Sequence, residues 1–261
     1  MQDSNDDAKR RLATSFGYRE VRAEDKAKLV GSVFSSVATR YDLMNDLMSG
    51  GVHRLWKAAM VDWLAPKRGQ RFLDVAGGTG DIAFRILDRL KRQGGAADEA
   101  VVVADISPAM LEVGRDRALD RGLVSGLAWL CADAEALPLP ARAVDAYTIA
   151  FGIRNVTRID RALAEARRVL APGGRFLCLE FSTVRSPLLA PVYDAYSFTV
   201  LPRLGGLVAD DADSYRYLAE SIRRFPDQET FAQMIAEAGL EQVEVRDLWG
   251  GIAALHSARR L

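Results

Sequence analysis

Short apolar runs alternate with amphipathic stretches through the middle of the chain, between residues 71 and 181. Residues 101–104 form a continuous apolar run, which is typical of a strand buried on both faces of a parallel sheet. Apolar residues at helical spacing follow such runs at 81–93, 108–121 and 158–170. This alternation predicts an α/β fold with a doubly wound, mostly parallel sheet and helices on both faces. The five predicted strands are 71–74, 101–104, 127–131, 144–150 and 175–181.

The pattern changes near both ends of the chain. Residues 1–15 are polar and are predicted to be a disordered tail, whereas 16–261 reads as a single domain. Within it, 16–66 is predicted to be a helical cap that begins with a helix over 23–40. Residues 40–57 suit either a lid over a ligand pocket or a helical extension packed on the core. Residues 186–226 are predicted to be a helical insertion that covers the substrate or packs as an ordinary core helix.

The last predicted elements are a helix over 228–238 and two short strands over 243–248 and 252–257, separated by a glycine pair. These two strands form a hairpin at one end of the parallel sheet. Together with the five earlier strands, they predict a seven-stranded, Rossmann-like sheet that carries one antiparallel edge strand.

Composition narrows the function classes. The 261 residues contain 35 Lys and Arg and 35 Asp and Glu, and this zero net charge disfavours a nucleic-acid partner. Cys131 and Cys178 lack the spacing of a metal site and suit a reduced, cytoplasmic protein. No run of eighteen apolar residues appears, so we predict no membrane span.

The stretch LDVAGGTGD, residues 73–81, runs from a strand through a glycine-rich turn into a helix. It fits the dinucleotide fingerprint, and an NAD-linked oxidoreductase is one hypothesis. However, Asp74 and Asp81 flank the turn, and carboxylates there would repel a pyrophosphate at the helix N-terminus. S-adenosylmethionine carries an ammonium and a sulfonium instead, so we favour it, with Asp74 facing its methionine end. The alternative for Asp81 is a simple role in the first helical turn.

Two further acids end neighbouring strands. Asp105 lies where doubly wound folds place the carboxylate that binds ribose hydroxyls, and Ser107 is free to cap the next helix. Asp133 is predicted to accept a hydrogen bond from the adenine amino group, with the small Ala134 letting the ring lie close. Because the carboxyl ends of parallel strands share one sheet edge, these acids are expected to converge on one ligand.

Several motifs together resemble the ubiquinone/menaquinone biosynthesis C-methyltransferase family. They are FGYREV, VFSSVATRYDLMNDLMSGGVHRLWK, LDVAGGTGD, FGIRNV, RVLAPGGR, YDAYSF and DADSYRYLAESIRRFPDQ. The resemblance runs from about residue 16 to the C-terminus. It implies a class I methyltransferase fold and transfer of a methyl group from S-adenosylmethionine to a ring carbon of a polyprenylated quinol. Family cofactor positions fall on Thr79, Asp105, Asp133 and Ala134.

The chain departs from the family pattern at Ala150, where the family often has serine, so that a hydroxyl contact is lost. Ala76 replaces the first loop glycine of many methyltransferases. The predicted cofactor-binding residues are Asp74, Gly78, Thr79, Gly80, Asp105, Asp133, Ala134 and Ala150.

For the chemistry, we predict that Arg154 and Asn155 hold the quinol oxygen or an activating water and that Asp81 accepts the proton through water. The alternative is that Arg154 pairs with a surface acid. Deprotonation of the quinol hydroxyl would make the neighbouring ring carbon nucleophilic. The predicted lining of the ring and tail pocket is Tyr41, Met44, Tyr193, Tyr196 and Phe198.

The remaining hypotheses are another small-molecule methyltransferase, a methyltransferase for nucleic acid or protein, and a non-catalytic scaffold of a biosynthetic complex. The polyprenylated substrate implies a protein of the cytoplasm that associates peripherally with the inner membrane. A quinone-biosynthesis complex and a homodimer are open alternatives for its assembly. The acceptor is a benzoquinol, a naphthoquinol or both.

Overall fold

The computed structural model describes most of the chain. The described residues are 13–37, 45–46, 49–94, 101–187, 191, 193, 195–196, 199 and 212–261. Among them, no helix is long and apolar enough to cross a membrane.

A seven-stranded sheet forms the centre of the molecule, and a small antiparallel pair, β1 (Ser15–Phe16) and β2 (Arg19–Glu20), precedes it. The strands of the large sheet are β3 (Phe72–Val75), β4 (Val101–Asp105), β5 (Leu127–Cys131), β6 (Val144–Ala150), β7 (Leu170–Phe181), β8 (Glu241–Leu248) and β9 (Ala253–Arg259). Their order across the sheet is β5-β4-β3-β6-β7-β9-β8. β3 to β7 are parallel, and β9 runs antiparallel between β7 and β8. The predicted doubly wound sheet with a terminal hairpin is confirmed.

Seven helices of the described residues surround this sheet. They are α1 (Ala23–Val37), α2 (His53–Leu64), α3 (Asp81–Arg92), α4 (Pro108–Asp120), α5 (Ile159–Val169), α6 (Ala212–Arg224) and α7 (Gln228–Glu237). The buried side chains of α1, α2, α3 and α6 pack in one apolar cluster, and those of α5 and α7 pack in a second. Helices therefore cover both faces, as the alternation predicts.

The strand bounds differ from the prediction mainly at β7. It begins at Leu170, directly after α5, and includes Pro172 and the two glycines that the sequence suggests as a loop. The pairing of β6 with β7 shifts register between Val144 and Ala146, which accommodates this segment as an irregularity in the ladder.

The strand order reverses at β3, because β4 and β5 lie on one side of it and β6 and β7 on the other. In open α/β sheets, ligands bind at such a switch point, outside the carboxyl ends of the strands. The carboxyl ends of β3, β4 and β6 therefore mark where a site is expected.

Gly114 allows α4 to lie close to this edge. A Cβ at Gly114 would lie 2.5 Å from Cζ3 of Trp129 and 3.0 Å from the carbonyl oxygen of Gly78. The helix thus approaches both β5 and the turn after β3 at a distance that only glycine permits.

We expect Gly114→Ala to lower the free energy of unfolding by about 1–3 kcal/mol, because the added methyl group overpacks this contact. Gly31→Ala is the matched control, since Gly31 is also helical but has no atom within 4 Å of an added Cβ. It should raise stability by about 0.5–1 kcal/mol through the helix propensity of alanine. Urea denaturation of both variants measures the difference. Equal effects would contradict the close approach.

Candidate functional site

The turn between β3 and α3 is held against β4 by its backbone. The amide of Gly77 donates to the carbonyl oxygen of Ala104 at 3.1 Å, and the amide of Gly80 donates to that of Gly77 at 2.8 Å. Gly78 and Gly80 have φ of 50° and 82°. These left-handed conformations and the short contacts explain why the turn is rich in glycine.

Ala76 has a left-handed φ of 49° despite its side chain. Its Cβ lies 2.4 Å from the place where a Cβ on Gly152 would stand. The alanine that replaces a loop glycine is therefore accommodated by a glycine in the loop after β6. Such a backbone conformation is costly for alanine, and strained positions of this kind cluster at functional sites.

Asp105 ties this turn to the end of β4. Its Oδ2 accepts from the amide of Gly78 at 2.9 Å, and its Oδ1 accepts from the amide of Ser107 at 2.9 Å. Burial raises the pKa of Asp105 to about 6, which these backbone hydrogen bonds partly oppose. The hydroxyl of Ser107 caps α4 by accepting from the amide of Met110. Ser107 therefore performs the capping, as predicted, and carboxylate lone pairs of Asp105 remain for a ligand.

An open cavity lies beside Asp105 and contains about 780 Å³ including the solvent at its mouth. The ends of β3, β4, β5 and β6 form its floor, and α1 forms its opposite wall. Its lining includes Ala27, Val30, Gly31, Phe34, Asp105, Ile106, Met110, Asp133, Ala134 and Asn155. This cavity suits a nucleoside, which has hydroxyls at one end and a flat ring at the other. The carboxylate of Asp105 can bind the hydroxyls, and the small, buried Ala134 lies within an apolar wall that can contact the ring.

A smaller cavity lies on the other side of the same turn. It is lined by Lys57, Asp74, Ala76, Gly77, Gly78, Thr79, Asp81, Ile82 and Ala150. Ala76 lines both cavities. Seven of the eight predicted cofactor residues line one of the two cavities, and Gly80 lines neither. Gly80 instead begins α3 and lies close to Phe84 and Trp129.

A buried oxygen of Asp74 shows which kind of ligand would fit this cavity. Its side chain is almost fully buried, and its Oδ1 accepts from the hydroxyl of Thr148 at 2.8 Å. Among the described residues, its buried Oδ2 has no hydrogen-bond partner. Burial raises the pKa of Asp74 to about 7. An unsatisfied buried carboxylate oxygen fits a cationic group, such as the ammonium of S-adenosylmethionine.

The carboxylate of Asp81 forms ion pairs with two cationic side chains. Its Oδ2 lies 2.9 Å from Nζ of Lys57, and its Oδ1 lies 2.9 Å from Nε of Arg85. Although burial favours the protonated form, the two cations lower the pKa of Asp81 to about 2. A carboxylate with so low a pKa is a weak proton acceptor near neutral pH, so this geometry argues against the predicted role of Asp81 as a base.

Arg154 is placed differently from its predicted role. Its side chain is buried, and its Nη1 lies 2.7 Å from Oε1 of Glu180 and 2.6 Å from the carbonyl oxygen of Phe151. Burial raises the pKa of Glu180, and the charge of Arg154 opposes this shift. Arg154 does not line the large cavity. The alternative of pairing with an acid is therefore what the structure shows, except that the acid is buried at the end of β7.

Asn155 does line the large cavity. Its Oδ1 accepts from the hydroxyl of Tyr217 at 2.9 Å, and its Nδ2 lies 3.5 Å from the carbonyl oxygen of Phe151. Burial raises the pKa of Tyr217, so the hydroxyl stays protonated and donates. The amide of Asn155 is thereby oriented with its oxygen toward the hydroxyl of Tyr217 on α6, while its NH₂ group donates to the carbonyl oxygen of Phe151.

The predicted substrate residues are only partly described. Tyr41, Met44 and Phe198 lie outside the described residues. Tyr193 is half-buried, with the guanidinium of Arg223 5.5 Å from its ring centroid. Tyr196 packs half-buried against the apolar core. Neither tyrosine lines the large cavity, so their contact with a substrate stays a prediction.

Sequence reasoning missed three contributors to the cavities. Val30 and Phe34 belong to the helix predicted over 23–40, to which no pocket residue was assigned, and Lys57 ends the stretch predicted as either a lid or a packed helical extension. One signal in the sequence could have indicated that Lys57 contributes to a site. Its spacing from Trp56 and Met60 places a charged residue within the apolar face of α2.

The family model described as the ubiE/COQ5 methyltransferase family matches residues 5–260. The chain is 60% identical to the ubiquinone/menaquinone biosynthesis C-methyltransferase of Paracoccus denitrificans, over 95% of this chain and 97% of the relative. It is 58% identical to the mitochondrial 2-methoxy-6-polyprenyl-1,4-benzoquinol methylase of Oryza sativa, over 95% of this chain and 89% of that relative.

Solved structures share the fold at low sequence identity. The [4+2]-cyclase SpnF superimposes with a TM-score of 0.64 at 18% identity, covering 90% of this chain and 96% of that one. A possible histamine N-methyltransferase from Thermotoga maritima superimposes with a TM-score of 0.61 at 19% identity, covering 89% and 100%.

The pKa of Asp74 leads to a prediction for ligand binding. Below about pH 7, Asp74 is protonated in the free protein, so binding an ammonium must release that proton. The dissociation constant of S-adenosylmethionine should therefore rise by up to about tenfold per pH unit below pH 7, and it should rise again above about pH 8, where the α-amino group of the ligand loses its own proton.

Isothermal titration calorimetry between about pH 5.5 and pH 8.5 measures this dependence across the titration range. Asp74→Asn should weaken binding above pH 7 and remove the slope between about pH 6 and pH 7, leaving below that only the contribution of Asp105 near pH 6. Asp88→Asn, an exposed carboxyl on α3, is the control and should follow the wild type. An unchanged slope in Asp74→Asn would contradict the assignment.

Proposed function

The chain belongs to the ubiE/COQ5 methyltransferase family, and from this premise we propose that it transfers a methyl group from S-adenosylmethionine to a ring carbon of a polyprenylated quinol. The names of its relatives support either a benzoquinol acceptor, a naphthoquinol acceptor or both. The observation that carries the proposal is the pair of cavities on either side of one glycine turn, with Asp105 at one and Asp74 at the other.

The residues present suit this cofactor better than a dinucleotide. Asp74 has a buried oxygen without a partner beside the turn, and Asp81 is held in its ionised form at the start of α3. A pyrophosphate would meet these acids at close range, whereas a cationic methionine end is attracted by them. This charge arrangement supports a methyltransferase over the NAD-linked oxidoreductase.

S-adenosylmethionine, which Asp74 and Asp105 would hold, would supply an electrophilic methyl group to the ring carbon, and the proton that this carbon gives up would pass to solvent. The chain's part is to align the quinol and stabilise the negative charge on its oxygen. Alignment alone is worth several kcal/mol in reactions of this kind. Asn155 is the predicted catalytic residue that the geometry best supports, because it lines the large cavity and Tyr217 fixes the orientation of its side-chain amide.

Arg154 is a positioning residue, because it fixes the elements that carry Asn155 and Tyr217 without contacting the quinol. It joins the loop after β6 to Glu180 at the end of β7, and its Nε lies 3.4 Å from the hydroxyl of Ser221 on α6. The ion pair thus ties the loop that carries Asn155 to β7, and the hydrogen bond to Ser221 ties it to α6, which carries Tyr217. We assign its guanidinium to this structural task, in place of direct contact with the quinol.

The isoprenoid tail of the proposed substrate resides in a bilayer, so the enzyme must receive it at a membrane surface. Peripheral association with the inner membrane from the cytoplasmic side follows from the substrate chemistry. The segment 186–226 remains the proposed cover of the ring and tail, and most of its first half lies outside the described residues.

Methyl transfer is tested directly with purified protein, S-adenosylmethionine labelled in the methyl group, and a reduced polyprenyl benzoquinol or naphthoquinol in detergent micelles. We expect the label to enter one or both quinols, with mass spectrometry placing it on a ring carbon. The oxidised quinone is the control and should accept no methyl group, because its ring carbon is not nucleophilic. Binding of NAD without any methyl transfer would overturn the proposal.

A second prediction separates the two roles of Arg154. Arg154→Met alone leaves Glu180 buried without its counter-ion and should lower stability by about 3–5 kcal/mol. The double variant Arg154→Met/Glu180→Gln removes both charges, so it should recover most of that stability and keep turnover within about tenfold of the wild type. Denaturant titration and single-turnover rates measure both.

The contrary outcome is equally clear. A double variant that is as stable as the wild type but slower by a factor of about 100 or more would show that the guanidinium stabilises the reacting oxygen.

A further inference from the structure

Trp249 is an exposed aromatic residue on a strained backbone. It lies at the tip between β8 and β9, where it is 58% exposed and has a left-handed φ of 50°. This conformation costs free energy in any residue that has a Cβ. Because the indole is largely in water, its burial does not offset that cost. A strained position of this kind points to a function outside the fold.

The neighbouring backbone holds this tip in place. The carbonyl oxygen of Gly250 accepts from the amide of Arg185 at 2.9 Å. A Cβ at Gly251 would lie 2.6 Å from the carbonyl oxygen of Thr183, so the two backbones approach at a distance that only glycine permits. The tip therefore packs against the chain that leaves β7, which continues into the proposed substrate cover at 186–226.

The tip lies at the carboxyl edge of the sheet, where β3 to β7 end and where both cavities are found. β9 runs antiparallel to both β7 and β8, so β8 ends at the same edge as β7. Trp249 follows β8 directly. α2 runs in the opposite direction, because it ends at Leu64 shortly before β3 begins. The first turns of α2 therefore lie at the carboxyl edge as well.

A second exposed apolar side chain, that of Leu55, lies at the level of the tip. The guanidinium of Arg246 on β8 lies 3.9 Å from the ring centroid of Trp63 on α2, so the two elements meet there. Leu55 is about 12 Å from that contact along the helix. Trp249 is about 10 Å from it along the strand, in the same direction. Leu55 is 63% exposed, so two apolar side chains face water at this level.

The basic side chains beside these two residues are paired with acids. Arg54 lies 2.6 Å from Asp46, and Arg185 contacts both Glu229 and Asp247. These pairs neutralise the charge around the two apolar side chains, and the whole chain has no net charge. Tryptophan is enriched where proteins meet the headgroup region of a bilayer, because its ring is apolar and its N–H is polar. The surface therefore suits a lipid interface that it enters without help from charge.

We propose that Trp249 and Leu55 insert into the interfacial region of a phospholipid bilayer and hold the carboxyl edge of the sheet against the membrane. The inference rests on the proposed function, because the isoprenoid tail of the quinol gives the enzyme its reason to meet a bilayer. Insertion there brings the lipid to the chain that leaves β7, next to the proposed cover of the tail. Binding by apolar insertion needs no anionic lipid.

Vesicles of phosphatidylcholine, with and without added phosphatidylglycerol, are the probe, and co-sedimentation measures binding. Trp249→Gly keeps the left-handed backbone without strain, so the variant is expected to fold. Leu55→Gln changes an exposed helical position. Leu119→Gln is the matched control, because Leu119 is also helical and 63% exposed but lies at the end of α4, at the opposite edge of the sheet.

The wild type should bind both kinds of vesicle with similar affinity and with little dependence on salt. Trp249→Gly and Leu55→Gln should each weaken binding by about tenfold, the effect of losing one inserted apolar side chain. The double variant should lose about 100-fold, and Leu119→Gln should stay within about twofold of the wild type. Lipid brominated in its acyl chains should quench the tryptophan fluorescence of the wild type far more than that of Trp249→Gly.

Turnover separates membrane contact from chemistry. With a polyprenyl quinol embedded in vesicles at limiting lipid, the double variant should methylate more slowly than the wild type. With a tail-less quinol in solution, the two proteins should be equally fast. A wild type that methylates neither quinol would contradict the proposed function, whereas the vesicle-binding assay tests the inference without any turnover.

Unchanged vesicle binding in the double variant would overturn the inference. Wild-type binding that requires phosphatidylglycerol and disappears at high salt would also overturn it, because that is the behaviour of a charged surface. A wild type that stays in solution with its tryptophan unquenched would exclude the bilayer and leave the tip as a surface for another protein.

Discussion

The close approach of the glycine turn to the end of β4 is the constraint on which the site depends. The amide of Gly77 bonds to the backbone of β4, and the amide of Gly78 bonds to the carboxylate of Asp105. Gly114 lets α4 press against the same turn. Because these contacts fix the turn, they also fix the two cavities that lie on either side of it. A side chain at either of the first two glycines would meet neighbouring atoms within 3 Å and force the turn away.

The same geometry buries the carboxyl groups of Asp74 and Asp105, and this burial lowers the stability of the folded protein. Burial raises the pKa of both Asp74 and Asp105 above the value of an exposed aspartate. The folded state therefore holds more protons on these groups than the unfolded chain between about pH 4 and pH 7, and their contribution to stability falls as pH rises through that range. A ligand that supplies an ammonium and hydroxyl donors offsets this cost, so binding and folding are favoured by the same contacts.

Periodicity predicted the elements well because a parallel sheet buries both faces of its strands and leaves long apolar runs in the sequence. The acids at strand ends were equally accessible, since topology alone brings the carboxyl ends of β3, β4 and β5 to one edge. The partners of the buried charged side chains, however, could not be predicted from the sequence. Arg154 pairs with Glu180 and Lys57 pairs with Asp81, and neither pair has a spacing that repeats along one helix or strand. Which buried charge meets which depends on how distant elements dock.

The same limit explains why the sequence predicts a cap from the N-terminal helices but does not show which of their residues line a cavity. Their amphipathic pattern shows which face is buried, but a face that packs on a core and a face that closes a cavity look alike in sequence. In the structure, Val30 and Phe34 of α1 form a wall of the large cavity, and Lys57 of α2 reaches the small one. The sheet edge alone would leave both cavities open to water. Electrostatic contacts strengthen when water is excluded, so a methyltransferase that stabilises charge on a quinol oxygen needs these helices as much as it needs the glycine turn.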